Sequence, residues 1–167
     1  MMKAVKPNNA NVLSNRYASP EMATLWAPEH KIILERQLWI AVLKAQQELG
    51  VSVEPGAIED YEKVIDQVDL DSIAERERVT RHDVKARIEE FNALACHEEI
   101  HKGMTSRDLT ENVEQLQVRR ALELTRDKAI ALLKAVGNRA GEYKSLVMAG
   151  RSHNAVSYTH LTLPTKA

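Results

Sequence analysis

Three histidines stand in polar surroundings: His82 within Arg81-His82-Asp83, His101 within His-Lys-Gly-Met-Thr-Ser (101 to 106), and His153 within Gly-Arg-Ser-His (150 to 153). Imidazole is the side chain best suited to give or take a proton near neutral pH. Each of the three has a nearby cation, in Arg81, Lys102 and Arg151, and Thr105 and Ser106 fall where a helix is predicted to begin. The backbone N–H groups and dipole of a helix start favour phosphate or carboxylate. These residue types point to a pocket for a small molecule with several negative charges and a proton-transfer group inside it.

Other candidates read as structural. His97 and His101 are four apart with Glu98 between them, but the order His-x-x-x-His is not the His-Glu-x-x-His of a zinc site, and no metal is expected. His30 and His97 read as solvated or capping residues, Trp26 and Trp39 as core. Cys96, late in an apolar-striped segment, reads as structural. There is no Gly-x-Gly-x-x-Gly or Walker-type loop, which weighs against dinucleotide or nucleoside triphosphate sites of those kinds.

The elements that must position the histidines are helical. Residues 1–15, rich in Asn and Ser, read as a flexible leader with order beginning near Arg16. Ile32, Leu38, Trp39, Val42, Ala45 and Leu49 recur at three- and four-residue spacings between Pro28 and Gly50 and predict a helix. Shorter helices are predicted over 57–68 and 72–78, the latter capped by Asp71. Thr80-x-x-Asp83 and Thr105-x-x-Asp108 both have the spacing of a reciprocal capping box. The first places His82 in a first helical turn; the second, after a break at Gly103, opens the longest helix, reaching about Tyr143. A capping box is more often only a cap than a site. Farther along, Ala129, Ile130, Leu132, Leu133 and Val136 make that helix apolar around most of its circumference, so it needs cover on several sides, as in a bundle completed by other sequence or subunits.

Composition bounds the remaining choices. In 167 residues, 44% are hydrophobic and 4% aromatic, and 23 basic residues nearly cancel 24 acidic ones to a net charge of −1. That is a globular composition; without a basic tract it carries no footprint for nucleic acid. One cysteine excludes an intrachain disulfide, and the start MMKAVKPNNA lacks the apolar core of a signal peptide, so a reducing cytoplasm is the expected location. No apolar run approaches the roughly 18–20 residues that cross a bilayer, and no membrane partner is expected. The final VSYTHLTLPTKA (156–167) breaks the helical period and resembles a translated sequencing adapter; residues 155–167 are expected to be non-native.

Four segments, Arg-Tyr-Ala-Ser-Pro-Glu-Met (16–22), Thr-Arg-His-Asp-Val (80–84), His-Lys-Gly-Met-Thr-Ser-Arg-Asp (101–108) and Gly-Arg-Ser-His (150–153), stand in one order across 16–154. Together they resemble the adenylosuccinate lyase family. The Thr-Ser-x-Asp element is shared with the wider fumarase and aspartase superfamily, whereas Arg-Tyr and Arg-His-Asp point to this branch. The resemblance implies an all-α fold, with an N-terminal helical domain (16–104) followed by the start of a central helical bundle (105–154), and a homotetramer whose bundle draws helices from all four subunits. It further implies β-elimination across a C–N bond, releasing fumarate from adenylosuccinate or from the succinyl-carboxamide ribotide, with neither cofactor nor metal.

Carried over by motif, Arg16 and Tyr17 match the pair that holds the phosphate and nucleotide. Arg81, His82 and Asp83 match a second substrate-binding stretch, with His82 close to the reacting centre in a supporting catalytic role. Thr105 and Ser106 match the hydroxyls that bind the succinyl part, and His101 lines the same pocket. His153 matches the general acid, since a protonated imidazole can neutralise the departing nitrogen as the bond breaks. Ser152 replaces the family's usual threonine and keeps a hydroxyl. The family's base, a serine on a mobile loop, belongs to a part that this sequence does not include, so residues 1–167 by themselves are expected to show no turnover. Two other readings remain: a different fumarate-releasing lyase of the superfamily, such as one acting on argininosuccinate, or a non-catalytic helical module whose long helix joins a partner bundle.

Overall fold

A computed structural model describes residues 11–147. It contains, among these residues, seven helices and no strand: α1 (Val12–Tyr17), α2 (Pro20–Leu25), α3 (Pro28–Glu48), α4 (Ala57–Lys63), α5 (Leu70–Thr80), α6 (Asp83–Ala95) and α7 (Ser106–Tyr143). The all-α expectation holds. None of these helices is long and apolar enough to cross a membrane. The chain divides into two compact units at Arg126/Asp127, within α7.

Local chemistry sets most boundaries. Asn11 caps α1 by accepting from the amides of Leu13 and Ser14, so helix starts inside the segment expected to be a leader. Ser19 caps α2 with Pro20 at its first position, and Pro28 opens α3. The predicted helix over 57–68 stops at Lys63, and α5 is capped by Asp69, which accepts from Ser72 N, in place of Asp71. Thr80 does not open α6. Helix α5 runs through Thr80 and ends on Arg81 in the left-handed region at φ 55°, leaving His82 as the N-cap of α6, its Nδ1 accepting from Lys85 N at 3.3 Å. Nor does Gly103 end that helix: α6 stops at Ala95, with Cys96 at φ 60° as its exposed C-cap.

Within the first unit, α3, α4 and α6 enclose a core of Trp39, Ile40, Leu43, Ala57, Ile58, Tyr61, Val84, Phe91 and Ala95, closed by Ile100 and Leu109. Trp26, expected inside, is 45% exposed. Running through this core are charges that periodicity gives no reason to bury. Arg36, fully buried, bonds Glu90 at 2.5 Å and the carbonyls of Val64 and Ile65 at 3.0 and 2.9 Å, over the face of Phe91. Arg87 grips both oxygens of Glu35 at 2.8 and 3.0 Å and also holds Asp83. Burial pushes the Glu35 carboxyl up despite Arg87. These pairs fix α3 against α6 and carry no solvent-facing chemistry.

The early part of α7 is anchored on the same unit. Leu109 and Val113 are buried, Gln117 donates to Leu25 O at 2.8 Å, and Lys31 pairs with Glu114 at 2.9 Å.

Candidate active site

The loop between α6 and α7 and the first turn of α7 carry the candidate residues His101, Thr105 and Ser106. Ile100 is buried and Gln46 on α3 donates to Lys102 O at 2.8 Å, so the segment before α7 lies against α3. His101 takes the left-handed conformation, φ 67°, and its carbonyl accepts from Met104 N in a turn. Its Nδ1 accepts a hydrogen bond from the buried Trp39 Nε1–H at 3.0 Å, with the two rings edge to face.

Four residues on, Thr105 and Asp108 form the expected capping box: Asp108 Oδ2 accepts from Thr105 N at 2.7 Å, and Thr105 Oγ1 accepts from Asp108 N at 3.5 Å. The box uses those two amides, and the N–H groups of Ser106 and Arg107 complete the positive end of α7. Burial holds the His101 imidazole below the usual histidine range; the field of Asp108 opposes this and that of His82 adds to it. The fields of His82, from the α5–α6 junction, and of Asp108, from α7, thus reach the His101 ring from 19 and 7 positions away in sequence.

Not every expected residue joins this group. His82 and Asp83 are about half exposed, and Arg81 is exposed beside them. Asp83 is turned toward Arg87 as well as His82, so part of its role is to hold the α6 ion pairs. Arg16 and Tyr17 lie on α1, which has no buried residue, and Tyr17 is 76% exposed. His153 lies outside the described residues. A cleft of about 690 Å³ opens beside Arg76, Lys85, Glu89 and His97 but contains none of the expected site residues. Among the described residues no group of three or more His, Cys, Asp or Glu could hold a metal ion.

His97 is a correction to the sequence reading. It is neither solvated nor paired with His101 on a helix face. It sits in the loop after α6, nearly buried, with Nδ1 at 2.9 Å from Glu54 and Nε2 at 3.0 Å from Asp60. These contacts, Asp60 first, raise its pKa. Trp39, expected only as core, also donates a hydrogen bond to His101. The signal available was its place on the α3 stripe, since a buried indole N–H requires an acceptor.

The comparisons with known proteins point to one class. The profile of the family described as Lyase matches residues 18–160, and the chain belongs to that family. Among curated proteins it is similar to the adenylosuccinate lyase of Schistosoma mansoni, 34% identical over 146 residues that cover 86% of this chain and 30% of that protein. The adenylosuccinate lyases of Methanocaldococcus jannaschii and Saccharomyces cerevisiae are 34% and 33% identical, over 83% and 87% of this chain and 31% of each relative. The chain thus spans about a third of the length of the curated relatives it matches.

Proposed function

We propose that the chain is part of an adenylosuccinate lyase, a carbon–nitrogen lyase that eliminates fumarate from adenylosuccinate to give AMP, and from the succinyl-carboxamide ribotide in purine nucleotide synthesis. The observation that carries this reading is the 33–34% identity to adenylosuccinate lyases over 83–87% of the chain, a stretch that includes the ordered Arg-His-Asp and His-Lys-Gly-Met-Thr-Ser motifs.

In this reading Thr105, Ser106 and the first amides of α7 bind a carboxylate of the succinyl group. Electron density builds on that group when the proton beside it leaves, and pre-set donors stabilise it without reorganisation. His101 donates to the same anion, and His82, with Nδ1 engaged by its own helix cap, directs Nε2 toward the substrate. Arg81 and Asp83 bind beside it, and Arg16 and Tyr17 hold the phosphate and nucleotide. His153 protonates the departing nitrogen, and the base comes from another part of the enzyme. Residues 105–154 begin the central bundle of a cytoplasmic homotetramer, whose other helices complete the site.

Grafting residues 11–154 in place of the matching segment of the Schistosoma mansoni relative tests this. The chimera is expected to cleave adenylosuccinate, with no comparable activity on argininosuccinate, and Arg16→Ala is expected to raise KM for the ribotide at least tenfold, the loss of about 1.4 kcal/mol of phosphate binding. Preference for argininosuccinate, or an unchanged KM, would overturn the assignment.

A further inference from the structure

Trp39 sits on α3 with 1% of its surface exposed, stacked near Phe91 at 6.3 Å between centroids and edge-on to His101 at 5.9 Å. An indole nitrogen is a donor only, so the atom it faces must present a lone pair. That atom is His101 Nδ1, at 3.0 Å.

We propose that Trp39 is a positioning residue that locks His101 as the neutral, Nε2-protonated tautomer, so that the imidazole serves the site as a fixed N–H donor to an anionic oxygen and does not itself move protons.

The chemistry follows from counting sites on the ring. A neutral imidazole has one N–H and one lone pair; with the lone pair at Nδ1 occupied by Trp39, the proton is on Nε2. Adding a second proton at Nδ1 would set two N–H groups against each other across a part-buried contact. Accepting a proton at Nε2 is closed too, because that nitrogen already carries one. His101 therefore lacks both the lone pair of a base and the spare proton of an imidazolium acid.

The surroundings hold the geometry. The left-handed backbone at His101, the Met104 turn, the Gln46 bond to Lys102 O and the buried Ile100 together fix the loop. The titratable groups whose fields reach the ring are Asp108 from α7 and His82 from the α5–α6 junction; burial, to which His82 adds, outweighs Asp108 and disfavours the charged form. From α3 the contact is the non-titrating indole. The anion that Nε2–H meets, a substrate carboxylate or phosphate, rests on the function proposed above; the tautomer does not.

Long-range proton–nitrogen NMR correlation on the 15N-histidine-labelled chain reads the tautomer directly. The expected pattern is an unprotonated Nδ1 and a protonated Nε2 for His101, with the second proton taken up at lower pH than by an ordinary histidine. Trp39→Phe keeps the stacked ring and removes the donor. It is expected to let Nδ1–H become populated and to raise the His101 pKa by about one unit, the scale of one hydrogen bond's preference for the neutral form. An Nδ1-protonated ring in the unsubstituted chain overturns the proposal whether or not the variant folds, as does a folded Trp39→Phe with the same tautomer and titration. A chimera that fails to cleave adenylosuccinate would remove the proposed substrate while leaving this tautomer in place, so the two failures are distinguishable.

Discussion

Two stretches of helix in this chain answer the same hydrophobic arithmetic in opposite ways. Between Ala23 and Gln117 the apolar stripes of α2 to α6 and the start of α7 find one another, burying Trp39, Phe91, Leu43 and Leu109 and even two arginine–glutamate pairs. From Thr125 to Val147 every described residue is exposed, although Ile130, Leu132, Leu133 and Val136 are as apolar as the residues of that core. The first stretch is a packed unit on which the candidate site residues His82 and His101 sit. The second is an apolar helical surface with no cover within the described chain, and cover is what a central bundle would supply. Packing of α3, α6 and the loop before α7 is thus complete within the first unit, whereas the apolar face of the later part of α7 stays exposed.

The comparison breaks most sharply at Arg36. Replacing it with methionine keeps volume but strands the Glu90 carboxylate and the carbonyls of Val64 and Ile65 in the core; urea unfolding should show a loss of about 3–5 kcal/mol. A loss below about 1 kcal/mol would mean that the buried pairs do not hold α3 to α6.

A smaller effect is expected at His97, where pH supplies the perturbation. Its folded pKa is raised by Asp60 and Glu54 above the ordinary 6.5. Its contribution to stability is then fully present below pH 6.5 and fades as pH rises through the folded value. Urea midpoints from about pH 6 to about 9 should fall more steeply for the unsubstituted chain than for His97→Gln. Parallel curves would show that the contacts to Glu54 and Asp60 contribute nothing in solution.

Least of all should change at Leu133. Being 73% exposed, it contributes little to the chain by itself, and Leu133→Ala should alter unfolding free energy by no more than about 0.5 kcal/mol. A cost of 2 kcal/mol or more, the order of a buried leucine, would place the residue in a core and erase the contrast.

Much of this was legible in the residues, and the misses share a physical cause. Helix α3 and the long α7 followed from period and punctuation, and the Thr105–Asp108 box formed as spaced. The identical Thr80–Asp83 spacing did not, because α5 continued through Thr80 and passed the cap to His82. Spacing describes a possible local bond, and the neighbouring helix decides whether the backbone adopts it. Likewise Glu35, Arg36, Arg87 and Glu90 read as charge until the fold brought them together across some fifty positions. The candidate site was readable as motifs, since His82, His101, Thr105 and Ser106 carry their chemistry in their types; what could not be read was the indole behind His101. Trp39 and His101 are 62 positions apart, and no local pattern encodes that pairing.

Hydrogen exchange along the intact chain, read by mass spectrometry, tests the central contrast most directly. Protection is expected over α3, α6 and the start of α7 to about Gln117, with amides from 127 to 147 exchanging rapidly, because an unpacked helix opens easily. Equal protection along the whole of α7 would contradict the account, showing that the bundle end is already covered in the chain by itself.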